Sequence, residues 1–303
     1  IHEFRKPPNL QPGDTIGILS TARAIELHEI DQTIEYLKAK NYRVVLGATV
    51  GARHHQFAGE QSLRITDLQT MLNEPEIKAI ICARGGYGTV QLLEHIDWTI
   101  FSKSPKWILG YSDITVLHNA VSRLNIKSLH GIMPININNP DAFATFGKTL
   151  SVMEGTKQFS IPLTNHPLNR PGETNGILTG GNLSVLYSLR GTSYDIIPDK
   201  RILFFEDLDE YLYHIDRIMM NFSLGKIFEK IEAVVVGGMT DMNDNAIPYG
   251  TNAEEIIYEN IPEEIPLFFG APIGHFPKNA PVVCGAKANI SMENSCWTLT
   301  YTL

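Results

Sequence analysis

Short apolar runs rich in β-branched residues alternate with helical spacing through the first half of the chain. D-T-I-G-I-L-S, Y-R-V-V-L-G, I-K-A-I-I-C-A and P-K-W-I-L-G read as four strands. Between and after them, I-D-Q-T-I-E-Y-L-K-A-K, S-L-R-I-T-D-L-Q-T-M-L-N, T-V-Q-L-L-E-H-I and I-T-V-L-H-N-A-V-S-R-L read as helices. Ser20 or Thr21 is placed to cap the first helix, and Pro75 closes the second. The strands are apolar on both faces, as parallel strands covered on both sides must be. Repeated βα units of this size predict an open parallel sheet with right-handed crossovers.

The pattern breaks at residues 161–176, where prolines, asparagines and threonines with little periodicity predict a linker. This divides the chain into residues 1–160 and 177–303. In the second part R-I-L-F-F-E, E-A-V-V-V-G-G and P-L-F-F-G-A-P-I read as strands, and N-A-E-E-I-I-Y-E-N reads as a helix. Residues 211 to about 230 read as one long helix. The tail, P-V-V-C-G-A-K-A-N-I and C-W-T-L-T-Y-T-L around M-E-N-S, reads as an antiparallel hairpin. No internal repeat or low-complexity tract interrupts the order.

Composition narrows the function classes. The chain has 303 residues, 43% apolar and 19% charged, as expected of a soluble globular protein with room for two modest domains. A net charge of −8, with both signs interspersed, would repel phosphate polymers, so no nucleic-acid partner is expected. Three cysteines, an odd number, fit a reducing compartment, with Cys82 buried in an apolar strand. No apolar run approaches the roughly 20 residues that span a bilayer. No charged segment followed by an apolar one opens the sequence at Ile1. The expectation is a cytoplasmic protein without a membrane partner.

Four strand ends carry candidate chemistry. Gly110-Tyr111-Ser112-Asp113 lies between a strand and a helix, where a serine projects at the carboxyl edge of the sheet beside free helical N–H groups. It resembles the G-x-S-x-G elbow with Ile114 in place of the second glycine; alternatively Ser112 or Asp113 is an N-cap. Arg84-Gly85-Gly86-Tyr87-Gly88 fits neither a dinucleotide fingerprint nor a phosphate loop, and reads as a tight turn or an oxyanion-lining loop. Glu206 opens the acidic cluster E-D-L-D-E after an apolar strand, either as a residue of the site or among carboxylates that satisfy a helix start. No histidine lies near that cluster at metal-ligand spacing, so no metal is expected. His275, after P-L-F-F-G-A-P-I-G, is the histidine best placed at a strand end, with His214 as its rival. A hydroxyl, a base, an orienting carboxylate and N–H donors are the set that nucleophilic catalysis needs.

The ordered motifs L-Q-P-G-D-T-I-G-I-L-S, R-G-G-Y-G, W-I-L-G-Y-S-D-I-T, G-I-L-T-G-G-N-L-S, F-F-E-D, I-D-R-I-M and P-I-G-H resemble the LD-carboxypeptidase family, the serine peptidases of the S66 group. The resemblance spans nearly the whole chain. It implies a Rossmann-like, flavodoxin-like N-terminal domain, a smaller β-rich mixed C-terminal domain, and a homodimer. It implies a triad of Ser112 as nucleophile, His275 as base and Glu206 as orienting carboxylate. The backbone N–H groups of Gly86 and Asp113 are then the expected oxyanion donors. Arg84, Gly85, Tyr87, Gly181 and Asn182 are candidates for binding the peptide and its terminal carboxylate. The implied reaction removes D-Ala from the L-centre, Lys or diaminopimelate, of a murein tetrapeptide, with no cofactor. A second branch of the family cleaves microcin C-type peptidyl nucleotides. From another class, the chain reads as a non-catalytic anion-binding protein.

Overall fold

The structure, a computed structural model, describes residues 3–303. One unit comprises the chain up to Thr156 together with Pro281–Gly285; the other comprises Lys157–Ala280 and Ala286–Leu303.

The first unit runs β1 (Thr15–Leu19), α1 (Asp31–Ala39), β2 (Arg43–Leu46), α2 (Gln61–Asn73), β3 (Ile77–Cys82), α3 (Thr99–Lys103), β4 (Trp107–Gly110), α4 (Thr115–Arg123), β5 (Ser128–His130) and α5 (Pro140–Glu154). Its parallel strands lie in the order β2-β1-β3-β4-β5, the flavodoxin-like arrangement, so the α/β class expected from periodicity is present. In such sheets ligands collect outside the carboxyl ends near the point where strand order reverses, here between β1 and β3. Ile80, Ile108, Leu117 and Val121 fill a buried layer with Leu68 and Leu72 from α2.

Three local expectations fail here. Ser20 and Thr21 cap no helix: Ser20 Oγ donates to the Arg23 carbonyl, and the Thr21 hydroxyl meets that of Thr89. T-V-Q-L-L-E-H forms a 3-10 helix, Thr89–His95, because the chain leaves the glycine turn already tied down at Thr89. β5 went unseen because three residues carry too little pattern to read.

The second unit runs β6 (Gln158–Pro162), β7 (Thr174–Asn182), α6 (Leu183–Ser188), β8 (Arg201–Leu208), α7 (Leu212–Leu224), β9 (Ile231–Thr240), α8 (Ala253–Asn260) and β10 (Leu267–Phe268). After β11 (Val282–Cys284) come β12 (Lys287–Glu293) and β13 (Cys296–Thr302). Its sheet has the order β10-β9-β8-β7-β12-β13-β6, parallel from β10 to β7 and antiparallel beyond. Leu203, Phe205, Val234 and Val236 bury one face against Ile215, Ile218, Met219 and Phe222 of α7, which recur at helical spacing. Each such side chain contributes roughly 1.5–3 kcal/mol on burial.

The tail differs from its reading. Val282–Cys284 pairs antiparallel with β5 in the first unit, and the hairpin is β12 with β13. Asn294 and Ser295 take the two left-handed positions that such a turn requires, φ 49° and 64°. α7 stops at Leu224 rather than near residue 230, with Gly225 as C-cap and Lys226 left-handed after it. Gly180, Gly181 and Asn182 are the last three residues of β7. Among the described residues no helix is long and apolar enough to cross a membrane.

Candidate active site

In the first unit Ser112 follows β4 with φ of +61°, a left-handed conformation that an L-residue adopts at a cost of order 1–3 kcal/mol. That bend turns the chain from the sheet edge into the 3-10 turn Ser112–Ile114 and then α4, whose first N–H groups lack intrahelical acceptors. The glycine turn lies against it. A Cβ added to Gly85 would stand 3.1 Å from Ser112 Cβ and 3.2 Å from its Oγ, so a side chain there would crowd the hydroxyl.

Two buried networks hold these pieces, and neither was read from the sequence. The Asp113 carboxylate, almost fully buried, accepts the N–H of Thr89 at 2.9 Å and that of Gly88. Burial pushes the Asp113 carboxyl up, while these donors pull it back. Arg64, buried on α2, donates to the carbonyls of Thr21 at 2.9 Å and Gly88 at 3.0 Å. The far end of the glycine turn is thus pinned at both its N–H and its carbonyl. Behind β4, His118 Nε2 donates to the Gly110 carbonyl at 2.8 Å and Nδ1 takes the Ser128 hydroxyl at 2.7 Å. A carbonyl only accepts, so the Nε2–H tautomer of His118 is assigned. Nothing in the periodicity of α4 sets His118 apart; only its through-space link to Gly110 reveals its role.

Burial pushes the His118 imidazole down to about 4, from 6.5 when unfolded. Both states are neutral above pH 6.5. Below it the unfolded chain takes up a proton that the fold refuses, so stability is lost as pH falls from about 6.5 to 4. The linkage is worth on the order of 3 kcal/mol. Asp207, with its carboxyl pushed up to about 6, works in the opposite sense over part of this range. The expected result is therefore a difference: the urea midpoint of His118→Gln falls less steeply with acid than that of wild type. Parallel curves would refute it.

In the second unit Glu206 lies near the end of β8 and is fully buried. The β8–β9 register slips between Phe205 and Asp207, so Gly237 and Gly238 oppose Glu206 in a bulge that re-aims its side chain. Gly237 has no room for a Cβ, which would run into the Ile273 carbonyl and lie 3.2 Å from Glu206 Cβ. The segment from Ile273 to Gly274 therefore approaches β8 closely and delivers His275. Its Nδ1 meets Glu206 Oε2 at 2.6 Å, and Asn279 Oδ1 fixes the loop by accepting the Gly274 N–H at 2.9 Å. Burial disfavours the His275 cation. The hydrogen bond and charge of Glu206, helped by Asp207, outweigh it, and the proton affinity is raised above the usual value. An imidazole held through Nδ1–H presents Nε2 as its basic nitrogen.

The remaining candidates divide. Asn182 donates to Asp207 Oδ1 at 3.0 Å and to Glu206 Oε1 at 3.4 Å, while its own oxygen caps α6 through the Val185 N–H. Gly181 precedes it on β7, paired with Phe205. Arg84 donates to the Ala24 carbonyl at 3.2 Å, whereas Tyr87 is exposed on the glycine turn. The rival His214 bonds Glu210 at 2.6 Å. Cys82 and Cys284 are pushed up to about 12 by burial, so neither offers a thiolate.

Residues 16–131 match the LD-carboxypeptidase N-terminal domain and residues 175–290 the LD-carboxypeptidase C-terminal domain. The chain is 31% identical to the probable murein peptide carboxypeptidase of Bacillus subtilis, over 93% of this chain and 90% of that protein. It is 24% identical to the microcin C7 self-immunity protein of Escherichia coli, over 96% of this chain and 94% of that protein. The fold resembles the crystal structure of muramoyltetrapeptide carboxypeptidase from Oxalobacter formigenes, with a TM-score of 0.85 at 24% identity, covering 95% of this chain and 99% of that one. The chain belongs to the LD-carboxypeptidase family and is a hydrolase that acts on peptides.

Proposed function

We propose that the chain is a cytoplasmic serine LD-carboxypeptidase that cleaves the amide between an L-centre, Lys or diaminopimelate, and the terminal D-Ala of murein tetrapeptides. The observation that carries this reading is the 2.6 Å bond between fully buried Glu206 and His275, a base with raised proton affinity and a fixed tautomer. The left-handed turn at Ser112, with Gly85 against its hydroxyl, supports Ser112 as the nucleophile. In the proposed reaction Ser112 Oγ attacks the amide carbon as its proton passes to His275 Nε2. The N–H groups of Asp113 and Gly86 receive the oxyanion. The C–N bond then breaks, His275 protonates the departing amine of D-Ala, and water hydrolyses the acyl-enzyme by the same steps. Glu206 stabilises the imidazolium throughout.

The departing residue carries a free carboxylate, which needs a cation. Arg23 follows β1 at the point where strand order reverses; its N–H donates to the Gly85 carbonyl at 3.3 Å. A Cβ on Gly86 would lie 2.9 Å from Arg23 Cβ, so this exposed arginine lies beside the glycine turn. Because Arg84 is bound to a carbonyl, Arg23 is the better anchor. Arg23→Ala is expected to raise KM roughly 10- to 100-fold with a smaller change in kcat, the loss of one charged hydrogen bond. A C-terminally amidated peptide should not feel the substitution. Unchanged KM for the free acid would exclude this role.

The reading is tested by incubation with an L-Lys tetrapeptide, a diaminopimelate tetrapeptide and an aminoacyl-sulfamoyl adenosine, with mass detection of products. Release of D-Ala from either tetrapeptide supports it. Cleavage of the nucleotide alone would assign the chain to the activity named for its Escherichia coli relative.

A further inference from the structure

Behind the Glu206–His275 pair lies a second hydrogen-bonded chain within the same unit. Asp207, 2% exposed, accepts Asn182 Nδ2 and the Leu208 N–H on Oδ1, and the Ser184 N–H at 2.9 Å on Oδ2. The Ser184 hydroxyl lies 2.5 Å from Asp207 Oδ2 and 2.8 Å from Glu210 Oε1. Glu210 in turn meets His214 Nδ1 at 2.6 Å. A hydroxyl has one proton and cannot donate it fully to two carboxylates. Two contacts of hydrogen-bond length on either side of Ser184 therefore call for a second proton, held on a carboxyl.

We propose that Asp207 is a positioning residue for His275: its carboxyl, linked through the Ser184 hydroxyl to Glu210, holds a titrating proton whose loss adds a second anion beside the Glu206–His275 pair.

With the proton on Asp207, that carboxyl donates to Ser184 Oγ and the hydroxyl donates onward to Glu210. When the proton leaves, Ser184 turns to donate to Asp207, and two adjacent carboxylates, one bonded to the imidazole and one behind it, act on its charge. Asp207 is suited to this task because burial, offset in part by the Ser184 bond, pushes it up to about 6, and the Glu206 charge adds to the rise. Glu206 and Asp207 both act on the His275 charge. The elements around them bring little other charge. β7 contributes the neutral Asn182, α6 contributes Ser184 and Tyr187, and β9 presents Gly237 and Gly238. Asp209 turns to Asn243, and α7 supplies His214, whose partner is Glu210. The loop that bears His275 adds Asn279, which bonds the Gly274 N–H.

That His275 acts as a base rests on the function proposed above; its coupling to Asp207 does not. The test is an NMR titration of the His275 ring in the resting protein from pH 5 to 9. Wild type should show a small inflection near pH 6 beside the main step. Asp207→Asn should abolish the inflection and lower the main step by on the order of one pH unit. Ser184→Ala, which leaves Asp207 in place, should move the inflection upward, because the bond that favours the anion is gone. A merely structural role would alter neither feature. A wild-type curve with one step, or an inflection that survives in Asp207→Asn, overturns the inference. With the murein peptide, the acid limb of kcat/KM should shift downward in Asp207→Asn. Loss of that activity link with the titration intact would count against the peptidase reading alone.

Discussion

Replacing Ser112 with alanine is expected to lower turnover of a murein tetrapeptide by roughly 10⁴- to 10⁶-fold, with peptide affinity within a few-fold of wild type. The size follows from the division of labour in a triad. Without the hydroxyl no acyl-enzyme forms, and the residual rate is that of water attack assisted by the N–H donors. The fold should tolerate the change, since alanine meets the same left-handed strain as serine and the networks through Asp113, Arg64 and His118 do not use the Ser112 side chain as their anchor. Single-turnover kinetics with mass detection, paired with calorimetric binding, separates the terms. An anion-binding protein would keep its function without the hydroxyl. Turnover within tenfold of wild type would therefore end the serine-peptidase reading.

The sequence displayed the parts of this site more clearly than their supports. Strand ends were legible because an apolar run followed by one polar residue has few interpretations, and that pattern marked Ser112, Glu206 and His275. Most of the parallel sheet was legible for the same reason. What stayed hidden depends on contacts between different elements. His118 is ten residues from Ser128 and eight from Gly110, and nothing in α4's periodicity distinguishes a buried neutral imidazole from an ordinary one. Arg64 is 2% exposed because two carbonyls and a ring receive it, and none of these partners is adjacent in the chain. Asp207 reads as one of the carboxylates that satisfy a helix start, although β8 buries it. The migration of Val282–Cys284 to β5 was illegible because three apolar residues fit either sheet. Charged groups were misjudged for a common reason: a sequence shows the cost of burying them but not the donors that offset it.

Glu206→Gln should cost on the order of 10⁴ in kcat, more than Asp207→Asn, because it inverts the tautomer of His275 rather than tuning its charge. The carboxylate accepts on both oxygens: Oε2 takes His275 Nδ1–H and Oε1 takes Asn182 Nδ2. Glutamine has one acceptor and one donor. Asn182 favours the amide oxygen at the Oε1 position, which puts the amide N–H against His275 Nδ1. That nitrogen must then accept, the proton moves to Nε2, and the nitrogen expected to deprotonate Ser112 is no longer basic. Raising the pH does not restore it, so the loss should persist at pH 9, whereas the Asp207→Asn effect should fade once the base is fully deprotonated. Near-normal thermal melting would show that the buried isostere leaves the fold intact. Activity within tenfold of wild type, or recovery at alkaline pH, would mean that Glu206 does not set the tautomer, and the base would then have to be sought at His214.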